Sequence, residues 1–390
     1  MNLEARYRAS SNPTVVAVDA AGVITALGEG SAMISARSDQ VVGTASISAV
    51  VLHFVSVTTG GEVSCGLTIS GDVFCGGQGQ TPLPVLLSGG LSFGALDVGQ
   101  DHACGVTSSG AAYCWGRGDQ DQLGNGSFSG DAVPTPVLVI GGHTWTSVSA
   151  GFAHTCGVTA DSSAYCCGNN FVGTLGDGST VNSAAPMPVS GGLKFIAVDA
   201  GAYFSCGVGA GGRAYCWGNN NAGKLGDGTT QDHDVPTAIA SNLSFQMISA
   251  GGLYACAVTT DAHAYCWGYN AAGALGDGTT TDRNSPAPVS GGLTFLTVSA
   301  DNAHTCGVTL DSSAYCWGDN QAGELGIGSR DLQFPSQHPD PLAVSGGLSF
   351  RAVNTSVSPV AAHTCGITTG NVVYCWGDYV TLPARVPGQQ

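Results

Sequence analysis

Lysine and glutamate are nearly missing from this sequence. The only lysines are Lys194 and Lys224, and the only glutamates are Glu4, Glu29, Glu62 and Glu324. Scarcity of such good helix formers argues against helices. Basic charge is scarce altogether, with 11 Lys and Arg against 27 Asp and Glu and a formal net charge of −16. A nucleic acid or an anionic membrane surface is held by a basic face, so neither is expected as a partner. No apolar run reaches the ~18 residues that span a bilayer as a helix, and membrane insertion is not expected. The start, Met1-Asn2-Leu3-Glu4-Ala5-Arg6, lacks the basic and apolar regions of a secretion signal. Neither lysine is followed by Ser or Thr, which excludes a G-K-[ST] phosphate loop, and H-E-x-x-H and G-x-S-x-G are absent too.

Glycine is what the chain has in excess. Its 60 residues among 390 are about 15%, roughly twice the usual ~7%. With 43% hydrophobic residues the chain can bury a core. Many Gly, Ser, Thr and Val with little Lys or Glu means strands joined by turns, an all-β protein.

Repeats set the architecture. The block Phe295-Leu296-Thr297-Val298-Ser299-Ala300, then His304-Thr305-Cys306-Gly307-Val308-Thr309, then Ala314-Tyr315-Cys316-Trp317-Gly318 recurs along the chain. Its opening aromatic stands at Phe54, Phe93, Trp145, Phe195, Phe245, Phe295 and Phe350, spaced 39, 52, 50, 50, 50 and 55 residues apart. Each unit adds a fourth strand-like run such as Pro186-Met187-Pro188-Val189. Four strands per repeat at a period of ~40–50 residues is the mark of a propeller blade. Seven such units predict a seven-bladed β-propeller whose closure removes exposed sheet edges.

At H-T-C-G-V-T…A-Y-C-W-G-x-N-x-A-G-x-L-G-D-G, clearest at His304–Gly318 and Tyr215–Gly228, the chain resembles the RCC1 repeat family (regulator of chromosome condensation) from about Phe54 to Val386. The resemblance implies the propeller; it does not fix the function, because a fold hosts many. Residues 10–36, with Ser10-Ser11-Asn12-Pro13, Gly22-Val23-Ile24 and Gly30-Ser31-Ala32, resemble a bacterial immunoglobulin-like group 2 (BIG2) domain entered partway. The expected organisation is a partial immunoglobulin-like segment over 1–50 and the propeller over 51–390. A start partway into that domain implies a piece of a longer polypeptide whose secretion signal lies upstream.

Fourteen cysteines form seven pairs ten residues apart: Cys65/Cys75, Cys104/Cys114, Cys156/Cys166, Cys206/Cys216, Cys256/Cys266, Cys306/Cys316 and Cys365/Cys375. In a hairpin with a three-residue loop, residues i and i+10 stand opposite each other, with Cα atoms ~4.5–5.5 Å apart, inside the window for a disulfide. One bridge per blade follows, and bridges persist only in oxidising compartments. Treating the cysteines as small core residues is the alternative. Cys167 is left over. It takes the place that Trp115, Trp217, Trp267, Trp317 and Trp376 hold in other units and reads as a buried free thiol.

His102, His154, His304 and His363 recur two residues before a cysteine and could ring a metal, but Val63, Phe204 and Tyr254 hold the same place elsewhere. Asp177, Asp227 and Asp277 in L-G-D-G turns suit calcium, yet Asp before Gly equally serves a turn, and Ile327 stands at the matching position. No cofactor is expected; calcium or a transition metal are the exceptions these residues leave open. Arg117-Gly118-Asp119 spells an integrin-type tripeptide that a chain this rich in Gly and Asp produces by accident.

Units two to six carry an L-G-x-G connection before the fourth strand, whereas units one and seven lack it. Unit six inserts Arg330–Pro341 and unit seven a stretch near Ser356–Pro359. Departures from a repeat mark binding surfaces, so Arg330, Asp331, Phe334 and His338 are the candidate contacts. The expected function is a secreted or cell-surface module, monomeric as an isolated chain, that binds a protein or glycan without chemistry. The alternatives are a hydrolase or lactonase in the propeller mouth, and guanine-nucleotide exchange by family analogy. Catalytic residues are not identifiable.

Overall fold

The structure, a computed structural model, describes residues 7–27, 29–38, 41–49, 51–61, 63–77, 84–87, 89–332, 336–356 and 362–389. The chain divides into two compact units, one comprising Met1–His53 with Gly388–Gln390 and the other Phe54–Pro387. In the first, Tyr7–Ser10, Gly30–Ser38 and Val41–Ala49 form a three-stranded antiparallel sheet, with a separate hairpin of Val16–Val18 and Ile24–Ala26. Val15, Val16, Ala32 and Ile34 make its small core.

Among its described residues the second unit holds seven four-stranded antiparallel sheets, each built from consecutive strands of one repeat. In sheet 6 these are Phe295–Ala300, His304–Thr309, Ala314–Gly318 and His338–Ala343. The first strands, Phe54–Thr59, Phe93–Val98, Trp145–Ala150, Phe195–Ala200, Phe245–Ala250, Phe295–Ala300 and Phe350–Thr355, touch one another in sequence, and the last touches the first. They are therefore the innermost strands of a closed β-propeller. Loops joining strands one to two and three to four lie on one face, because alternate strands reverse direction.

The second and third strands of every sheet form a hairpin with a three-residue loop, as the cysteine spacing requires: Thr107 N–H bonds to Ala111 O across Ser108–Gly110. The third loop position takes the left-handed conformation, supplied by Gly71, Gly110 and Gly212 but also by Ser162, Ala262, Ser312 and Asn371. A left-handed residue there is what closes such a loop with the strands' natural twist.

Six apolar clusters fill the junctions between consecutive sheets. Between sheets 3 and 4, for example, Val158, Ala164 and Leu175 pack against Phe195, Val198 and Trp217. The recurring indoles are buried: Trp217, Trp267 and Trp317 have no exposed surface.

Candidate functional site

All seven cysteine pairs are bridged: Cys65–Cys75, Cys104–Cys114, Cys156–Cys166, Cys206–Cys216, Cys256–Cys266, Cys306–Cys316 and Cys365–Cys375. Their geometry corrects the spacing-based expectation. Cα atoms stand 4.1 Å apart in each pair, closer than the ~4.5–5.5 Å expected for opposed residues and just below the usual ~4.4 Å lower bound for a disulfide. The reason lies in the register. Counting outward from the hydrogen-bonded Thr107/Ala111 pair, alternation puts Cys104 and Cys114 at a non-hydrogen-bonded position, where antiparallel strands approach most closely. Cys65/Cys75, Cys206/Cys216 and Cys256/Cys266 hold the same register position.

Bridge and core are also not alternatives here. Cys206 with Cys216 and Cys256 with Cys266 are bridged and at the same time fully buried members of apolar clusters. Cys75 and Cys375 differ from the rest. They are only half-buried, and both line the space between sheets 7 and 1.

Cys167 is the free thiol, buried, and its burial pushes its pKa up to about 12. Its Sγ faces Gln122 O at 3.7 Å. The indoles of Trp217, Trp267, Trp317 and Trp376 donate to the equivalent carbonyls of Thr174, Lys224, Ala274 and Glu324 at 2.8–3.0 Å. Cys167 thus occupies the tryptophan position. The glycine after each L-G leucine explains itself here: a Cβ on Gly176, Gly226, Gly276 or Gly326 would lie 2.6–2.7 Å from the indole.

A polar ring unannounced by any enzyme motif surrounds the axis. The fifth residue of each innermost strand is Thr58, Asp97, Ser149, Asp199, Ser249, Ser299 or Asn354. Each accepts the N–H of the next sheet's sixth residue: Val98, Ala150, Ala200, Ala250, Ala300, Thr355 and, closing the circle, Thr59. Thr58 and Ser149 additionally donate hydroxyl protons to Asp97 and Asp199. Burial raises the pKa of Asp97 against its hydrogen bonds, and burial with the nearby Asp97 charge raises Asp199 to about 7. The sequence signal was a small polar residue at one fixed place in all seven repeats, always after an apolar residue and, in five of them, before one too.

The histidines serve a second circle. His102 Nε2 meets Thr155 Oγ1, His154 meets Ser205, His304 meets Thr364 and His363 meets Ser64, at 2.7–2.8 Å, each in the following sheet. Tyr254 makes the same link through its hydroxyl to Thr305. Burial depresses His102 to about 3 and His154 to about 4, so both are neutral near pH 7. No three His, Cys, Asp or Glu side chains gather as a metal site among the described residues. The structure therefore does not converge His102, His154, His304 and His363 into a ligand set. Their Nε2 atoms are engaged between sheets.

One junction has the outline of a catalytic relay. Asp301 Oδ2 lies 2.6 Å from His304 Nδ1, and His304 Nε2 lies 2.8 Å from Thr364 Oγ1. Burial alone would lower His304, but the Asp301 charge and hydrogen bond outweigh it and raise the pKa; nearby Glu324 is pushed up to about 7 by burial. All three side chains are sealed from solvent, and Thr364 donates its proton to Glu324 O. Thr155 and Ser205 make the same bond to Gln122 and Thr174 in junctions without the carboxylate. The hydroxyl is a structural strut, not a nucleophile awaiting a substrate.

The acidic turns are likewise spoken for. Asp177, Asp227 and Asp277 accept from the buried Asn170, Asn220 and Asn270 and from turn residues Ser179, Thr229 and Thr279, and Asp227 and Asp277 also pair with His233 and Arg283. Arg117 forks onto Asp101 and Asp119, 3.2 and 2.7 Å away, so the Arg-Gly-Asp tripeptide is tied internally. Of the candidate binding residues, Arg330 stacks over Tyr379 at 4.9 Å, while Asp331 accepts from Ser336 and from His338 at 2.8 Å. Phe334 and positions 357–359 lie outside the described residues. Sequence reading missed an aromatic cluster on the loop face, where Tyr203 sits 5.4 Å from Phe152 and 6.0 Å from the exposed Phe171.

Among the described residues no helix is long and apolar enough to cross a membrane. The regulator of chromosome condensation (RCC1) repeat matches residues 109–158, 161–208, 211–258 and 261–308, and a second form of it matches 95–122, 145–174 and 195–224. No curated protein matches the sequence. Among solved structures, human WBSCR16 is similar with TM-score 0.72 and 17% identity, over 86% of this chain and 92% of that one. Yeast RCC1 (Prp20), solved with Kap60, gives 0.66 at 16% identity over 78% of each chain. The CRINKLY WD40 ectodomain of the Arabidopsis thaliana receptor kinase ACR4 gives 0.54 at 24% identity, over 87% of this chain and 99% of that one. Identities this low speak for the fold alone. With RCC1 repeats matched from 95 to 308 and RCC1-like propellers among its structural neighbours, the chain belongs to the RCC1-repeat family.

Proposed function

We propose that this chain is a non-catalytic interaction module working outside the cytosol, secreted or displayed at a cell surface, with the partial immunoglobulin-like segment as a spacer. The observation that carries this reading is the bridge in every sheet. Glutathione and thioredoxin keep cytosolic thiols reduced, so a fold stapled seven times suits an oxidising compartment. The ACR4 neighbour, an ectodomain, is in keeping with that location. Binding without chemistry is supported by the fate of the polar groups: the histidines, the acidic turns and the Asp301–His304–Thr364 set are all engaged internally.

The partner on this reading is a protein or glycan that meets the loop face. Phe152, Phe171 and Tyr203 offer apolar contact there, and the chain's net charge of −16 favours a basic partner. Guanine-nucleotide exchange rests on likeness to the yeast protein, for which binding to Gsp1p and histones is named. A cytosolic partner does not suit the bridges.

The test is to isolate the protein from its own host under thiol-blocking conditions and measure its intact mass after denaturation, without and with reductant. One blocked thiol without reductant and fifteen with it support the reading. Fifteen in both would remove the argument for an oxidising compartment.

A further inference from the structure

The junction between sheets 7 and 1 departs from the rule that four of the others follow. From sheet 3 onward to sheet 7, the leucine of one sheet's L-G loop and the tryptophan of the next sheet fill the space together: Leu175 with Trp217, Leu225 with Trp267, Leu275 with Trp317 and Leu325 with Trp376. At the closing junction both are missing. Sheet 7 turns from Gly377 through Asp378 and Tyr379 straight into Val380–Arg385, without a loop. Sheet 1 has Gly76 at the tryptophan position, opposite Ser64 in register. Among the described residues, the other six junctions hold a cluster of buried apolar side chains, and this one instead holds a cavity of about 320 Å³.

The cavity's walls are apolar and aromatic, with Phe54, Phe74, Trp376 and Val380 among them. Ser64 and His363 supply a polar edge, their side chains bonded at 2.7 Å. Counterparts of Ser64 donate a proton to a loop carbonyl. Sheet 7 has no such loop, and with His363 Nε2 as the donor in their shared hydrogen bond the Ser64 hydroxyl proton is left for whatever enters. Sites for small molecules combine a volume of this order with mostly apolar walls and a few placed polar groups.

We propose that the seam between sheets 7 and 1 is a binding site for a small, neutral, flat bicyclic aromatic molecule with one hydrogen-bond acceptor directed at Ser64. The missing indole and isobutyl groups of the repeat define its size and flatness. The seam is separate from the loop-face surface and does not depend on it.

The experiment uses the full chain with isoquinoline (neutral at about pH 8) and naphthalene as probes, read by saturation-transfer NMR and thermal shift. Both bind the wild type, and isoquinoline binds about fivefold more tightly, the worth of one hydrogen bond. Gly76 has ordinary backbone angles, and among the described residues the nearest atom to a Cβ there would be Pro84 Cα at 3.8 Å. Gly76→Trp should therefore restore the missing ring, abolish binding of both probes and leave the far-ultraviolet spectrum unchanged. Ser64→Ala should keep naphthalene binding and erase the fivefold preference. The proposal is overturned if neither probe binds the wild type, as when other residues of the chain fill the seam, or if Gly76→Trp binds both unchanged. Should Gly76→Trp fail to fold, a preference that survives Ser64→Ala overturns it equally.

Discussion

Asn354 Oδ1 accepts two hydrogen bonds from Thr59, one from its N–H at 2.7 Å and one from Oγ1 at 2.6 Å, joining positions 295 residues apart. No strand is exchanged at the seam, since each sheet takes its four strands from one repeat. Among the described residues, side chains carry the hydrogen bonds that close the ring: Asn354 with Thr59, His363 with Ser64, and Arg351 with the carbonyl of Val55. Asn354→Leu removes an acceptor and leaves two donors with no partner, and should cost about 2–4 kcal/mol. Removing Ser249, which accepts the single N–H of Ala300, should cost about 1 kcal/mol as Ser249→Ala. Urea unfolding midpoints compare the two. Equal losses would mean the seam is no more vulnerable than any other junction.

The raised pKa of Asp199 makes stability depend on pH. Its native value is about 7 and its unfolded value about 4. Between those values the native state holds a proton that the unfolded state has released, so stability is greatest at the acid end and falls as pH rises through the window. The side chain is partly open to solvent, which holds the loss to roughly 2 kcal/mol, about half of what three pKa units would give. Asp199→Asn should flatten part of that slope, because Asn fills this ring position in sheet 7 as Asn354. Glu324, also raised to about 7, contributes in the same sense. An unchanged slope between pH 4.5 and 7.5 in Asp199→Asn would show that Asp199 does not titrate in this range.

The repeat arithmetic carried most of the fold. An aromatic every ~50 residues and a cysteine pair at fixed spacing were enough to place strands, hairpins and bridges, because those features are local and repeated. The side-chain circles escaped for the opposite reason: Asp97 meets Thr58 and Ala150, which are 39 and 53 residues away, and no local pattern states which repeat stands next to which. His304 was singled out for its position, but Asp301, its ion-pair partner, stands where five other repeats carry glycine and was not. The aromatic cluster of Phe152, Phe171 and Tyr203 draws on two repeats and on loops without a shared motif, so only coordinates could assemble it.

The disulfides should contribute to stability separately and about equally. Each closes the same short loop, for which chain entropy predicts about 2–3 kcal/mol. The double substitution Cys306→Ala with Cys316→Ala should lower the unfolding free energy by that amount and leave the other six bridges intact by mass. A loss below 0.5 kcal/mol would mean that the native strands, not the bridge, already hold the pair together.

Sheet 3 departs from its neighbours twice, and the two departures compensate. It opens with Trp145 where the other sheets have Phe, and it carries Cys167 where most have Trp; both line a residual cavity of only about 10 Å³. In sheet 4 the corresponding Phe195 and Trp217 pack with centroids 5.9 Å apart. The indole has in effect changed strands. Cys167→Trp alone therefore puts two indoles into space for one and should destabilise by about 1–3 kcal/mol, as overpacking does. Trp145→Phe alone opens a void and should cost about 1 kcal/mol or more. The double variant restores the arrangement of sheet 4, with the new indole N–H placed to donate to Gln122 O, and should recover most of both losses. A double-mutant cycle on thermal unfolding measures the coupling, expected at about 2 kcal/mol in favour of the pair. Strictly additive losses would mean that the two positions do not share one space.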